Sequence, residues 1–387
     1  MPETGRNYII AGAGIAGMTL ALGLAKFGAS VVLLERSPEV QEFGAGLQIS
    51  PNARHCLDQL GLGSAVDKAS LEPQALDLYP QGSQSPSMSL ELGPVMRERF
   101  GAPYGVMHRA DLADLLYKAC RRFANIDILF GVRHWDVVSH ARGVTVAVDE
   151  ANGQSRTSRA HAFIGADGVH SHTRRAVLDG PDAVFGHRIA WRILVPADLM
   201  SGQIALDRVS VFFGAGFHLV CYPLPHRRQV NLALFMPDRS TEPTGQPHPE
   251  RPGPRVEAIL AAAGKNWTPW PLFTVDTRTW HAGNVGLLGD AAHAMVPFQA
   301  QGAAMGIEDA TILAPLLVET KSAEQAFARY AALRQARVRA VAALSARNGR
   351  IFHLPRPLSL ARDAVMAAQG PRAHLRRLGW IYDYKAG

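Results

Sequence analysis

Apolar positions near the start of the chain gather into short runs separated by glycine. Tyr8 to Gly17 reads YIIAGAGIAG, an apolar run passing straight into glycines at 12, 14 and 17. MTLALGLAKFG follows with helix-like composition, and SVVLLE is a second apolar run ending in Glu35. Runs of this length joined by a helical stretch predict a βαβ unit. The form returns twice: AFIGADGVHSHTRRAV delivers Asp167 and Gly168 into a turn, and NVGLLGDAAHA ends in Gly289 and Asp290 ahead of a helix predicted over Gln301 to Leu317.

Between these signatures the pattern changes. RADLADLLYKACRR from Arg109 has helical composition, and ILFGV and GVTVAV are further apolar segments. RIAWRILV, RVSVFF, FHLVCYPL and QVNLALFM read as successive strands of one sheet. PDRSTEPTGQPHPERPGP is rich in proline and charge and predicts an exposed loop. A long helix begins at Ser322 with SAEQ, a capping-box form, and is expected to pack Phe327, Tyr330, Leu333, Val338 and Val341 inward.

Length and composition narrow the class. With 387 residues and 47% hydrophobic content the chain can bury a large core. Cys56, Cys120 and Cys221 lie far apart without metal-ligand spacing, so neither a disulfide framework nor a metal site is expected, and a reducing cytoplasm fits. No leader pattern and no membrane span are read. The net charge of +7 leaves an anionic partner open. The arginines at 329, 334, 337, 339, 347 and 350 lack interleaved aromatics, so a solvated helix face is expected there, not a nucleic-acid surface.

The glycines carry the first chemistry. In a βαβ unit Gly12 allows the tight turn, Gly14 lets a pyrophosphate approach the backbone, and Gly17 lets helix and strand pack closely. The helix N-terminus adds unpaired N–H groups and partial positive charge. Glu35 is placed to accept from a ribose 2′-OH and disfavours a 2′-phosphate, with Arg36 beside it as a further cofactor contact. FAD and NAD both satisfy this much.

Taken together, GAGIAG, GAGLQISPNA at Gly44 to Ala53, HRADL at His108, GADGVHSHTR at Gly165, GLLGDAAHAMVPFQAQGAAMGIEDA and the ending GWIYDYKAG resemble one family across almost the whole chain. It is the single-component flavoprotein aromatic hydroxylases, within them the salicylate hydroxylase-like branch. The resemblance implies retained FAD, with Asp290 at its ribityl and pyrophosphate region and Arg109 against the flavin. It implies that Asp167 and Gly168 serve FAD and NAD(P)H handling together. NADH or NADPH would bind transiently without a Rossmann domain of its own, which agrees with a single GxGxxG of the full βαβ type. The family's chemistry forms a C4a-hydroperoxide from reduced flavin and O2, which an activated aromatic ring attacks.

On this reading Pro297 fixes the loop beside the isoalloxazine, and Gln301, Gly302 and Ala303 open a helix aimed at the pyrimidine ring, whose N-terminus would favour the charge of reduced flavin. His218 and Tyr222 lie four apart on one strand and share a face. In similar hydroxylases a His and Tyr at this spacing contact the substrate's oxygen substituent, and His218 is the expected base. Gln301 and Gln48 are further substrate candidates, and Arg192 a carboxylate contact if its strand turns it inward. His293 and His108 are read as structural, satisfied by backbone.

The expected fold is α/β: a discontinuous Rossmann-like FAD-binding domain over 1–70, 101–182 and 272–320. A mainly antiparallel substrate sheet is inserted at 71–100 and 183–271, and a helical region spans 321–387. The expected function is an FAD-dependent, NAD(P)H-consuming monooxygenase of a small phenolic or N-heteroaromatic acid, acting as monomer or homodimer, with no nucleic-acid partner. The alternatives are a flavin oxidoreductase of a non-aromatic substrate on the same scaffold, or a non-catalytic FAD-bound sensor. Halogenation is disfavoured because AWRILVP lacks WxWxIP.

Overall fold

The computed structural model describes residues 5–40, 46–151 and 153–386. Gly44 and Ala45 of GAGLQISPNA and the terminal Gly387 of GWIYDYKAG therefore lie outside the described residues.

At the centre is a six-stranded sheet in the order His281–Ala282, Val285–Leu287, Ala162–Gly165, Asn7–Ala11, Ser30–Leu34, Ile126–Leu129. All its pairings are parallel except that of His281–Ala282 with Val285–Leu287. A parallel sheet is covered on both faces, so its strands are apolar throughout instead of alternating. Helix Ile15–Lys26 lies between this sheet and helix Gly302–Glu319, and it is apolar on almost every side for that reason. The two helices approach so closely that a Cβ on Gly23 would stand 2.8 Å from the Ala314 Cβ.

A seven-stranded sheet forms the second layer, ordered Thr268–Thr274, Val184–Pro196, Gln229–Pro237, His218–Leu224, Val209–Phe213, Ala75–Tyr79, Met88–Glu91. One pairing is parallel, Val209–Phe213 with Ala75–Tyr79, and the rest are antiparallel. Here the side chains do alternate. Ile189, Trp191, Leu219, Cys221, Leu232 and Leu234 face a core closed by helix Pro254–Ala263, while alternate residues of the same strands, Arg192, His218, Val220, Tyr222, Asn231 and Ala233 among them, face the central cavity. The fold class read from the sequence is the one observed. Residues 238–253 form neither helix nor strand, as their composition implies.

Two long helices close the chain, Ala323–Phe352 and Leu358–Tyr382, the second kinked at Gly370 ahead of Pro371. The Ser322 Oγ accepts from the Gln325 N–H at 3.2 Å, as the SAEQ box requires. Two expectations for the first helix fail. Leu333 is 58% exposed, and Arg334 is wholly buried instead of solvated. Arg334 faces helix Gly302–Glu319, where Glu308 and Asp309 are also buried, so a cation at that position neutralises two carboxylates.

Candidate active site

The strand ends of the central sheet and the inner face of the seven-stranded sheet share one cavity of about 1920 Å³. Pockets for single drug-sized ligands run to about 1,000 Å³, so this one has room for a dinucleotide and a second molecule together.

One end is the glycine cradle. Gly12 has φ 104°, and a Cβ there would stand 2.3 Å from the Ala166 carbonyl oxygen, so no larger residue fits. A Cβ on Gly17 would stand 2.0 Å from the Gly12 oxygen, which is the close helix–strand packing expected of it. Gly14 caps the helix that follows, whose first turn carries no acid to repel a phosphate. The Glu35 carboxylate bridges the turn, accepting from Ala13 N at 3.0 Å and Ser37 N at 2.9 Å, and still lines the cavity beside Arg36.

Gly289 and Asp290 stand at the next strand end. Gly289 has φ 60° and lies between Ala16 and Gly306, with Ala16 Cβ 3.1 Å from where its own Cβ would be. Asp290 opens a short helix to His293 and faces the cavity. This turn is held from behind by Asp309, which accepts from Gly289 N at 3.3 Å, from His293 Nε2, and from Arg334 Nε at 2.7 Å. Burial raises the Asp309 pKa, but His293 and Arg334 outweigh it and hold the carboxyl at about 2. His293 is thus satisfied by a buried carboxylate, not by backbone. His108 does act on backbone, its Nδ1 accepting from Ala110 N at 3.1 Å.

Asp167 and Gly168 border the same cavity. The Asp167 carboxylate also ties its own turn, accepting from Ser171 Oγ at 2.6 Å and from Thr173 N at 3.0 Å. Arg174, which the sequence reading missed, is buried and donates to the carbonyls of Pro181, Val169 and Ala291. It fastens the Asp167 turn to the Asp290 turn, and nothing in the local pattern distinguishes it from the solvated Arg175 beside it.

Gly302 and Ala303 open helix Gly302–Glu319 onto the cavity, with Pro297 and Phe298 at its approach and Arg109 opposite. Gln301 does not meet the cavity. Its amide donates to Ser50 Oγ at 2.9 Å and accepts from Asn52 Nδ2 at 3.0 Å, and Asn52 also donates to Glu308 at 2.7 Å. The substrate and catalytic roles expected of Gln301 are therefore corrected to support of the helix start, because its buried amide is taken up by Ser50 and Asn52. Gln48 does line the cavity and accepts from the Tyr104 hydroxyl.

The roof is the alternating face of the seven-stranded sheet. His218 pairs with Phe235 and Tyr222 with Asn231, while Ala233 lies between Val220 and Arg192. His218 is buried and stacks on Phe235 with ring centroids 4.5 Å apart. Its Nδ1 lies 2.7 Å from His353 Nε2, and His353 Nδ1 lies 2.6 Å from Arg188 Nη1. Burial, then His353 and Arg188, push the His218 pKa well down, and burial with Arg188 and Arg362 brings His353 to about 3. Burial pushes the Tyr222 hydroxyl up, with Arg192 opposing. Arg192 turns into the cavity, not to solvent. It forms no ion pair with any described residue, its Nε is buried without a partner, and burial lowers its pKa. His353 and Arg188 were not legible in the sequence, since one ends a helix and the other lies within a strand irregularity between Phe185 and Ile189.

Glu35 and Gly302 line the same cavity, and its volume has room for a dinucleotide with its adenosine end at the first and its far end at the second. A protein-family model described as the FAD-binding domain matches residues 7–187 and 255–345, and the chain belongs to that family, as an FAD-dependent monooxygenase. It is 33% identical over 388 residues to the 3-hydroxybenzoate 6-hydroxylase 1 of Aquipseudomonas alcaligenes, covering 97% of each chain. It is 31% identical to a 3-amino-4-hydroxybenzoate 2-monooxygenase of Streptomyces platensis, covering 97% of this chain and 96% of the other. Among solved structures, a salicylate hydroxylase substrate complex superposes with a TM-score of 0.77 at 24% identity, over 100% of this chain and 97% of the other. The family resemblance and FAD read from the sequence are both borne out. Among the described residues no cluster of metal ligands occurs, and no helix is long and apolar enough to cross a membrane.

Proposed function

We propose that the chain hydroxylates a small aromatic acid carrying a ring hydroxyl, of the hydroxybenzoate kind, at the expense of NADH or NADPH. The observation that carries this reading is Arg192, half-buried, with its Nε buried and unpartnered and no acidic partner among the described residues, on the same sheet face as His218 and Tyr222 and in the same cavity as the dinucleotide cradle. Buried charges are paired, so this one fits an anion brought by the substrate. The names of the two relatives, both acting on hydroxybenzoates, support the same class.

Bound FAD supplies acceptance of hydride from the nicotinamide and activation of O2. The chain's own residues do the rest. Gly12, Gly14 and the helix after them hold the pyrophosphate; Glu35 and Arg36 hold the adenosine end; Asp290, with Asp167 and Gly168 nearby, takes the ribityl region. Arg109, Pro297, Gly302 and Ala303 line the cavity where the flavin ring would lie, and the helix start at Gly302 would offer it N–H groups. Phe235 and Phe298 wall the ring of the substrate and keep water from it. His218 and Tyr222 meet the ring's oxygen substituent, and Arg192 its carboxylate. Strands two apart in a sheet are separated by about 10 Å, and the reach of the Arg192 side chain shortens that to the span of a hydroxybenzoate. The three-part cofactor domain and two-part substrate domain drawn from the sequence belong to this proposal, as do a monomer or homodimer and a reducing cytoplasm, which suits three buried free cysteines.

The test is consumption of NADH and of NADPH by the purified yellow protein across hydroxybenzoates, hydroxynicotinates and uncharged phenols. Oxidation stimulated by a hydroxylated acid, with a hydroxylated product, is the expected result. Stimulation by an uncharged phenol equal to that by its carboxylated counterpart would overturn the role of Arg192. Indifference to every aromatic would overturn the substrate class.

A further inference from the structure

The contacts behind His218 form a chain with a fixed direction. An arginine guanidinium donates hydrogen bonds and accepts none. Arg188 Nη1, 2.6 Å from His353 Nδ1, therefore requires that nitrogen to be bare. His353 then carries its proton on Nε2 and donates it across 2.7 Å to His218 Nδ1. That leaves the His218 proton on Nε2, the nitrogen that hydrogen-bonds to none of the described residues. Any other arrangement places two N–H groups face to face, either at Arg188 and His353 or at the two histidines.

We propose that Arg188 and His353 lock His218 as the Nε2–H tautomer, so that His218 donates to the substrate's ring oxygen and takes it as the phenolate. This rests on the hydroxybenzoate reading above and reverses one part of the sequence expectation: His218 is a donor, not a base. For His218 to accept the phenol proton on Nε2 without becoming a cation, its Nδ1–H would have to donate to His353 Nε2, and His353 Nδ1–H would then oppose Arg188. The phenol O–H bond instead breaks with its proton going to solvent water as the anion binds.

The surroundings agree. The charged groups that reach the pair are Arg188, two strands away from His218 in the same sheet, and Arg362 from the C-terminal helix, the latter paired with Asp363 at 2.7 Å. Rings of Phe235, Phe298 and Phe352 enclose His218. Three apolar rings and two cations disfavour an imidazolium at His218, and the two cations favour a phenolate opposite it. Arg188 and His353 are positioning residues in this scheme, since neither touches the substrate.

The lock is read directly by nitrogen NMR of FAD-loaded protein labelled at histidine, with the His218 signals assigned by their loss in His218→Asn. The expected result is protonation at Nε2 alone. In Arg188→Met both tautomers are expected, whereas Arg188→Lys, still a donor only, keeps one. A parallel titration follows the phenolate absorbance of a bound hydroxybenzoate. Its midpoint is expected below the roughly 10 of a free phenol in the wild type and Arg188→Lys, and at least about one unit higher in Arg188→Met, tenfold in the ionisation constant. Protonation at Nδ1 in the wild type, or a single unchanged tautomer in Arg188→Met, overturns the inference. An Nε2–H His218 in a protein that binds no hydroxybenzoate upholds the lock and overturns the substrate reading instead.

Discussion

Replacing Arg334 by methionine is expected to loosen both the fold and its hold on FAD. Arg334 is wholly buried, with Glu308 Oε2 at 2.6 Å and Asp309 Oδ1 at 2.7 Å. Removing one partner of such a pair leaves uncompensated buried charge, at about 3–5 kcal/mol. Arg337 still holds Glu308 at 2.7 Å and His293 still holds Asp309, so the lower end, about 3 kcal/mol, is expected here. Because Asp309 also accepts from Gly289 N, the loss reaches the turn that presents Asp290. The assay is urea unfolding of the FAD-loaded protein, with FAD release followed by its fluorescence. Adding Glu308→Gln to Arg334→Met is expected to restore part of the loss, because it removes one of two buried carboxylates where the single variant has lost the cation they shared. A loss below about 1 kcal/mol, or no recovery in the double variant, would show that the network is not what stiffens the turn.

Three further outcomes are expected. Gly12→Ala sets a methyl 2.3 Å from the Ala166 oxygen, and the purified variant is expected to be colourless, which its visible spectrum checks. Arg192→Met removes a charge-assisted contact of about 1.5–3 kcal/mol, so kcat/KM for the carboxylated substrate is expected to fall about 10- to 150-fold, and that for an uncharged phenol to change little. Unfolding measured against pH tests His353, whose folded pKa of about 3 is depressed below its usual 6.5. The stability it contributes is complete above pH 6.5 and is lost as pH falls towards 3, so wild-type stability is expected to drop more steeply there than that of His353→Gln, by up to about 1.4 kcal/mol per pH unit. Parallel curves would refute that.

What the sequence made legible was whatever depends on neighbours along the chain. The Gly12, Gly14 and Gly17 cradle, the acid at Glu35 and the Gly289–Asp290 strand end are local devices, so their spacing alone places them. Strand periodicity put His218 and Tyr222 on one face, and the family resemblance gave them their expected role. Arg334 was misread because a charged residue on a helix is usually solvated, and only the partner helix supplies the two acids that bury it. Gln301 was misplaced because its partners, Ser50 and Asn52, lie far away in the sequence. His353 lies 135 positions beyond His218, and no local pattern joins them.

The central sheet also carries a consequence for synthesis. Asn7–Ala11 pairs on one side with Ala162–Gly165, and the helix after it waits for Gly302–Glu319 to cover it. At about 5–20 residues per second, the ribosome takes roughly 15–60 s to make the intervening chain. Throughout that interval the face of helix Ile15–Lys26 that Gly302–Glu319 covers stands open to chaperones or to other nascent chains. Cofactor loading is therefore a late event, and a chain cut short before Gly302 is a substrate for proteolysis, not a smaller flavoprotein.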